Sequence, residues 1–306
     1  MMRKGLALFT AAMMMFGLAA CGQSEDAQQT AGDATVTETE AADETEAADE
    51  TEAAADDSKD DKERTTFTVG FDAEFPPYGF MDESGDYVGF DLDLAQEVCD
   101  RQGWELKKQP INWDTKDMEL SSGSIDCIWN GFTMNGREDD YTWSVPYVDN
   151  SQVFVVAEDS GIATKADLAG KVVGVQADSS ALAALEDEES QENLNLAASF
   201  STLNQFADYN TAFMELEAGS IDALAMDIGV ANYQISQREG YTILTGENEE
   251  EYLATEQYAI GFLKGNDELK DTVESTLMEM VDDGTFAEIT EKYADYGLVD
   301  AVCLGK

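Results

Sequence analysis

Arg137, Asp227 and the adjacent Ser179 and Ser180 are the side chains of this 306-residue sequence whose types and settings could do specific chemistry. Arg137 stands four residues after Thr133 and follows Asn130-Gly131-Phe132-Thr133, a stretch that supplies side-chain and backbone donors. A guanidinium is a planar fork of N–H groups matched to a carboxylate. Ser179 and Ser180 lie in Ala177-Asp178-Ser179-Ser180-Ala181, directly after the β-branched run Val172 to Gln176. A strand-to-helix turn of this kind presents free backbone N–H groups and hydroxyls, which favour an anion. Asp227 carries the opposite charge. An arginine fork with turn donors, facing one carboxylate, is what a carboxylate and an ammonium on the same carbon require. Each residue also has an ordinary role: Arg137 as a surface ion-pair partner, Asp227 and the serines as helix caps, and Phe75 and Trp113 as core aromatics.

Composition removes most competing chemistries. The chain contains no histidine, which excludes Ser-His-Asp and Cys-His nucleophile pairs, histidine general bases and His-ligated zinc. With 65 acidic against 17 basic residues the formal net charge is -48, so phosphate backbones are repelled and nucleic acid is not expected as a partner. No motif calls for a cofactor. Asp82, Ser84 and Asp86 have loose calcium-loop spacing, but Tyr87 stands where the glycine turn belongs, so a hairpin through Ser84-Gly85 is the better reading. No metal site is expected.

Alternating strand-like and helix-like segments must position these residues. Thr66 to Phe71 reads as a strand, broken by Phe75-Pro76-Pro77-Tyr78. Asp91 to Gly103 reads as a helix with Asp91 as N-cap, Leu94, Ala95 and Val98 on its apolar side and Gly103 past its end. Further strands are expected at Ile125 to Trp129, Val153 to Ala157, Val172 to Gln176 and Ala223 to Met226, an α/β pattern. An internal echo organises them: Met118-Glu119-Leu120-Ser121-Ser122-Gly123-Ser124-Ile125-Asp126-Cys127 parallels Met214-Glu215-Leu216-Glu217-Ala218-Gly219-Ser220-Ile221-Asp222-Ala223. Each copy is a helix tail, a glycine C-cap and a strand. Two similar α/β lobes would follow, with Gly131 to Thr133 and Asp227 in equivalent places at strand ends, where open sheets bind ligands.

The N-terminus reads as an export signal. Arg3 and Lys4 precede an apolar run from Gly5 to Ala20, roughly sixteen residues and too short for a membrane span. It ends in Leu18-Ala19-Ala20-Cys21-Gly22, which resembles a bacterial lipobox, so residues 1–20 are expected to be cleaved and Cys21 lipidated. Residues 21–65 then form a low-complexity tether of Ala, Thr, Asp, Glu and Gln, too apolar-poor to bury a core and extended by its own charge. Beyond it stand Cys99, Cys127 and Cys303, an odd number, of which Cys99 and Cys303 could pair, while Cys127 sits in an apolar run as a buried thiol.

A family resemblance spans residues 66 to 297 in order. Val69-Gly70-Phe71-Asp72-Ala73-Glu74-Phe75-Pro76-Pro77-Tyr78, Gly89-Phe90-Asp91-Leu92-Asp93-Leu94-Ala95, Gly131-Phe132-Thr133 with Arg137, Ser144-Val145-Pro146-Tyr147, Gly170-Lys171-Val172-Val173-Gly174-Val175-Gln176 and Asp283-Gly284-Thr285-Phe286 resemble the successive motifs of bacterial polar-amino-acid-binding proteins, the extracellular solute-binding family 3 of ABC transporters. The resemblance implies that Arg137, Thr133 and the Gly131 backbone bind a ligand carboxylate, completed by Ser179 and Ser180, while Asp227 binds the ammonium. Phe75 and Trp113 would flank the ligand side chain, with Asp72, Asn130 and Gln176 at its tip. The family usually places its arginine five residues after the threonine, so the loop here is one residue shorter. Asp178-Ser179 replaces the usual Gly-Thr, which requires the Asp178 side chain to point away from a carboxylate.

The fold implied is the α/β two-lobed type II periplasmic-binding-protein architecture, with crossings near Val155 to Asp159 and Leu253 to Tyr258. Lobe one would comprise 66–155 and 257–306, and lobe two 159–253. Such a protein captures a free polar L-amino acid in the interlobe cleft and delivers it to ABC permease subunits, as a monomer held to the outer face of the cell membrane by its lipid, and is not an enzyme. Two rivals share the scaffold: a prephenate or arogenate dehydratase-like enzyme, and an extracytoplasmic sensor module, which would need a membrane span and an output domain beyond Lys306.

Overall fold

The structure is a computed structural model and describes residues 64–246 and 251–306. The export signal, Cys21 and the tether as far as Glu63 lie outside the described residues. In chain order the elements are β1 (Thr66–Phe71), β2 (Glu74–Phe75), β3 (Gly79–Met81), β4 (Tyr87–Val88), α1 (Phe90–Gln102), β5 (Glu105–Pro110), α2 (Lys116–Ser121), β6 (Cys127–Ile128), β7 (Thr142–Trp143) and β8 (Val148–Ala157). There follow β9 (Val172–Gln176), α3 (Ser180–Glu186), α4 (Gln191–Ser199), β10 (Thr202–Phe206), α5 (Tyr209–Glu217), β11 (Ala223–Asp227), α6 (Ile228–Ser236), β12 (Tyr241–Ile243), β13 (Ala254–Tyr258), β14 (Gly261–Phe262), α7 (Asp267–Asp283), α8 (Thr285–Glu291) and α9 (Leu298–Ala301).

Two main sheets carry this α/β fold, and their plans correspond strand for strand. The first runs β5-β1-β6-β14-β7 and the second β10-β9-β11-β8-β12. In each, the first three strands are parallel and the fourth is antiparallel to the third. The sequence echo falls on the third strand of each sheet and holds at the level of single hydrogen bonds. Ser124 and Ile125 N–H both donate to Glu119 O as Ser220 and Ile221 donate to Glu215 O. The Asp126 carboxylate accepts from Thr68 N–H as the Asp222 carboxylate accepts from Val172 N–H. Gly123 and Gly219 end their helices at φ 75° and 71°, a left-handed conformation that glycine adopts freely. Even the packing recurs: a Cβ on Gly70 would meet Ile125 at 2.4 Å, and one on Gly174 would meet Ile221 at 2.5 Å, so both sheets need glycine where the strand runs under the isoleucine.

The helices bury the faces their sequences mark. α1 packs Phe90, Leu94, Ala95 and Val98 inward, and α7 packs Leu269, Val273, Leu277 and Met280, an i, i+4, i+8, i+11 stripe. α1 starts at Phe90 after Gly89, so Asp91 is not its N-cap. The Asp91 carboxylate turns instead into the core, where it accepts from Gly131 N–H at 2.6 Å and the Tyr147 hydroxyl at 2.8 Å.

The chain leaves the first sheet after Trp143, enters the second at Val148 and returns between Tyr258 and Gly261. The first change of sheet therefore precedes the expected crossing near Val155 to Asp159. The reason is that Asp149 to Gln152, although polar, pair with Ala254 to Gln257 as an antiparallel ribbon ahead of the apolar part of β8. Asp82 accepts from Ser84 and Asp86 N–H groups inside the β3–β4 turn, and no metal-binding cluster occurs among the described residues. Cys99, Cys127 and Cys303 are all unpaired, so the Cys99–Cys303 bridge does not form. Burial pushes the Cys99 thiol up to about 12 and that of Cys127 higher than an ordinary thiol, which keeps both inert. Among the described residues no helix is long and apolar enough to cross a membrane.

Candidate functional site

The C-terminal ends of β1, β6, β9 and β11 point into one cleft between the sheets. Phe75, Trp113, Asn130, Gly131, Thr133, Gln176, Ser179, Ser180 and Asp227 line a narrow cavity there. Arg137 and Asp72 lie one hydrogen bond outside the lining. The shortened loop still delivers Arg137, because Arg137 N–H closes a turn on Met134 O with Gly136 at φ 78° in a position that demands a left-handed residue. Its Nη1 donates to Thr133 O at 3.2 Å and to Ser180 Oγ at 3.3 Å, and its Nη2 to Asp178 O at 3.4 Å. A first-sheet cation thus meets the second-sheet serine turn across the cleft.

The same turn explains the unusual aspartate. Asp178 has φ 56°, which a non-glycine residue rarely adopts and which aspartate tolerates better than most. Its side chain points out of the cavity and forms an ion pair with Lys116 of α2. Its carbonyl accepts from Trp113 Nε1 at 3.3 Å. Ser179 Oγ caps α3 by accepting from Leu182 N–H at 3.2 Å, while Ser180 Oγ accepts from Arg137 across the cleft.

At the far end, Gln176 Nε2 donates across the cleft to Asp72 Oδ2 at 2.8 Å, and Asn130 Oδ1 accepts from Asp72 N–H at 2.9 Å. Burial raises the Asp72 carboxyl to about 6, opposed by hydrogen bonds from Glu74 N–H and Gln176 and assisted by the nearby charges of Asp208 and Glu74. Phe75 stacks obliquely near Tyr78 and Tyr209, with centroids at 5.7 and 5.8 Å, and Trp113 stands edge-on to Phe132 at 5.3 Å. One expected contact changes. Gly131 N–H is committed to Asp91, a buried carboxylate raised to about 7 by desolvation, so what Gly131 turns toward the cavity is its surface and not that donor.

This arrangement can be compared with known proteins. Residues 67–296 match the family model of the bacterial extracellular solute-binding proteins, family 3. The chain belongs to this family. Among its relatives, the L-cystine-binding protein TcyJ of Escherichia coli K12 is 29% identical over 76% of this chain and 84% of its own length. The arginine-binding extracellular protein ArtP of Bacillus subtilis 168 is 26% identical over 95% of this chain and 98% of its own. A substrate-binding protein of an ABC uptake transporter from Streptococcus pneumoniae, solved with bound histidine, superposes with a TM-score of 0.69 at 35% identity, covering 74% of this chain and 92% of that one. The two-lobed fold expected of family 3 is the fold found, and the family and its neighbours are solute-binding proteins, not enzymes.

In this family 3 protein the residue opposite Arg137 is held by more partners than its sequence suggests. Asp227 is buried and accepts from Asn150 Nδ2 at 2.8 Å, Gln152 Nε2 at 2.6 Å, Tyr258 OH at 2.6 Å and Tyr209 OH at 3.0 Å. The same two amides also donate to Glu256 Oε1, each at 2.7 Å, and Thr133 Oγ1 donates to it at 2.7 Å. Desolvation raises both carboxyls, Glu256 to about 7, with the Asp227 charge as its second cause. Asn150, Gln152, Glu256, Tyr209, Tyr258 and Lys116 are not assigned to the site by sequence reasoning, and Asp91 is read only as a helix cap. A signal existed for four of them: Asn150 and Gln152 on β8, and Glu256 and Tyr258 on β13, are i, i+2 pairs that a strand puts on one face.

Proposed function

We propose that this protein captures a free polar L-amino acid between its lobes and hands it to the permease subunits of an ABC importer, working as a monomer tethered to the outer face of the cell membrane through a lipid on Cys21. The observation that carries this reading is the placing of opposite charges about one cavity: the Ser180 hydroxyl in its lining with Arg137 hydrogen-bonded to it, and the Asp227 carboxylate elsewhere in the same lining. That is the complement of an α-carboxylate and an α-ammonium. The relatives that bind cystine, arginine and histidine support it, since these ligands share that head and differ in the tail. Asp72, Asn130 and Gln176 are then the groups that read the tail, with Phe75 and Trp113 as its walls.

Capture requires motion. The cavity of about 10 Å³ has room for at most one water, so an amino acid enters only when the lobes part. Opening breaks the contacts of Arg137, Trp113 and Lys116 with the Asp178 turn and of Asp72 with Gln176, and the ligand's charges offset that loss on closure. A thermal-shift screen of the twenty amino acids and cystine tests the reading. Ligand at about 100 times its dissociation constant stabilises by about 2.7 kcal/mol, so at least one amino acid should raise the melting temperature by several degrees. A chain that responds to none of them is not an amino-acid receptor.

A further inference from the structure

The ammonium end of the cleft has more acceptors than donors. Asp227 Oδ1 and Glu256 Oε1 each accept three hydrogen bonds, while the amide oxygens Asn150 Oδ1 and Gln152 Oε1 of the residues that bridge them are buried without a partner among the described residues. The donors are the two amide nitrogens, each shared between the carboxylates, and the hydroxyls of Thr133, Tyr209 and Tyr258. Two carboxylates bonded to the same nitrogen atoms cannot both ionise cheaply in a buried site, and a surplus of acceptors is relieved by a proton or by an incoming N–H group. The structure assigns Glu256 as a positioning residue that shares one proton with Asp227 in the free protein, so that arrival of an α-ammonium at Asp227 expels that proton and couples capture to proton release. The inference rests on the amino-acid reading above and adds a chemical step to it.

The surroundings fit that exchange. Thr133, which donates to Glu256, is itself held at its carbonyl by the Arg137 cation. Tyr258 on the same strand, Tyr209 from α5 and Tyr78 are buried phenols raised well above 10, and so remain neutral donors. Behind the β8–β13 ribbon, Glu256 and Asn150 also line a groove of about 570 Å³ with Asp149 and Asp300, which opens a route for the proton away from the ligand. Once the ammonium is seated, its charge lets both carboxylates ionise. Glu256 lies close to 7 in the free protein, so lowering the pH through neutrality opposes capture by filling the pair with protons.

The test is calorimetry of the wild-type protein with L-arginine and L-glutamine, whose own groups do not titrate near neutrality, in phosphate and in Tris at the same pH. The buffers differ in ionisation enthalpy, so the difference in heat counts protons released. About half a proton or more should leave per ligand at pH 7, and affinity should fall by up to about tenfold per pH unit below it. Glu256→Gln should bind with no buffer dependence and a flat pH profile, whereas Glu256→Asp, which keeps a carboxyl, should retain release. In the free protein, the stability lost between pH 5 and 8 should be smaller for Glu256→Gln than for wild type. Equal heats in the two buffers for wild type, or undiminished release in Glu256→Gln, would overturn the assignment while leaving amino-acid capture intact. A wild type that binds neither these nor any other amino acid overturns the capture reading and the coupling together.

Discussion

Asp227→Asn separates the two things Asp227 does, because the substitution removes charge while keeping shape. Oδ1 carries three of the four hydrogen bonds, from Asn150, Gln152 and Tyr258, and an asparagine oxygen can keep all three. Only the Tyr209 hydroxyl at Oδ2 must reverse, to accept from the new N–H₂ group, an exchange of one hydrogen bond for another worth about 1 kcal/mol. Against that stands the desolvation which raises the Asp227 carboxyl, a cost a neutral amide does not bear. The free variant should therefore unfold within about 1 kcal/mol of wild type at pH 7. Binding should behave quite differently. A ligand ammonium left without its counter-charge in a buried site costs about 2 to 5 kcal/mol, or about 30-fold to several thousandfold in affinity. Urea denaturation gives the first quantity and calorimetry with any amino acid that protects the wild type gives the second. Affinity within about threefold of wild type would show that Asp227 does not hold the ammonium, and destabilisation beyond about 3 kcal/mol would show that its charge supports the fold.

Arg137→Ala removes the carboxylate fork and the bonds to Ser180 Oγ and Asp178 O, and should abolish measurable capture of every amino acid the wild type accepts; retained binding would reassign the ligand head. Asp178→Gly fits the φ of 56° better than aspartate does but deletes the ion pair with Lys116, so small-angle scattering on residues 65–306 should show a larger mean radius without ligand; an unchanged radius would deny the pair a closing role. Asp91 is raised to about 7 from an unfolded value near 3.8, so the folded state binds the extra proton, and the stability this adds is complete below the unfolded value and lost as pH rises through 7. Asp91→Asn keeps an oxygen for Gly131 and Tyr147 and should gain on wild type in urea as pH climbs from 5 to 8, whereas a constant gap would mean that Asp91 ionises freely. Cys21→Ser should move the protein from the membrane to the soluble fraction of its own host, and a mutant that still sediments with membranes would exclude a lipid anchor on Cys21.

Much of this molecule is written in local pattern. Thr66 to Phe71 and Val172 to Gln176 are strands with the bounds their β-branched runs mark, because apolar side chains declare burial wherever they stand. The echo around Gly123 and Gly219 is a repeat in fact, since a helix tail, a left-handed glycine and a returning aspartate are set by residues adjacent in sequence. Asp227 was legible because the repeat set it opposite Gly131 to Thr133 at a strand end, and Arg137 because it follows Thr133 by four residues. What local pattern could not convey is which polar groups are buried together. The expected strand begins only at Val153 because Asp149 to Gln152 are polar, yet pairing with β13 turns Asn150 and Gln152 onto the carboxylates of Asp227 and Glu256. Asp91 looks like a cap until the chain brings Gly131 beside it, 40 residues on. Lys116 and Asp178 are ordinary surface charges in the sequence, 62 residues apart, and become partners only in the fold. Composition and periodicity settle where apolar surface is hidden, a property of each segment alone. The partner of a buried charge is a property of two segments, and only the tertiary structure decides it.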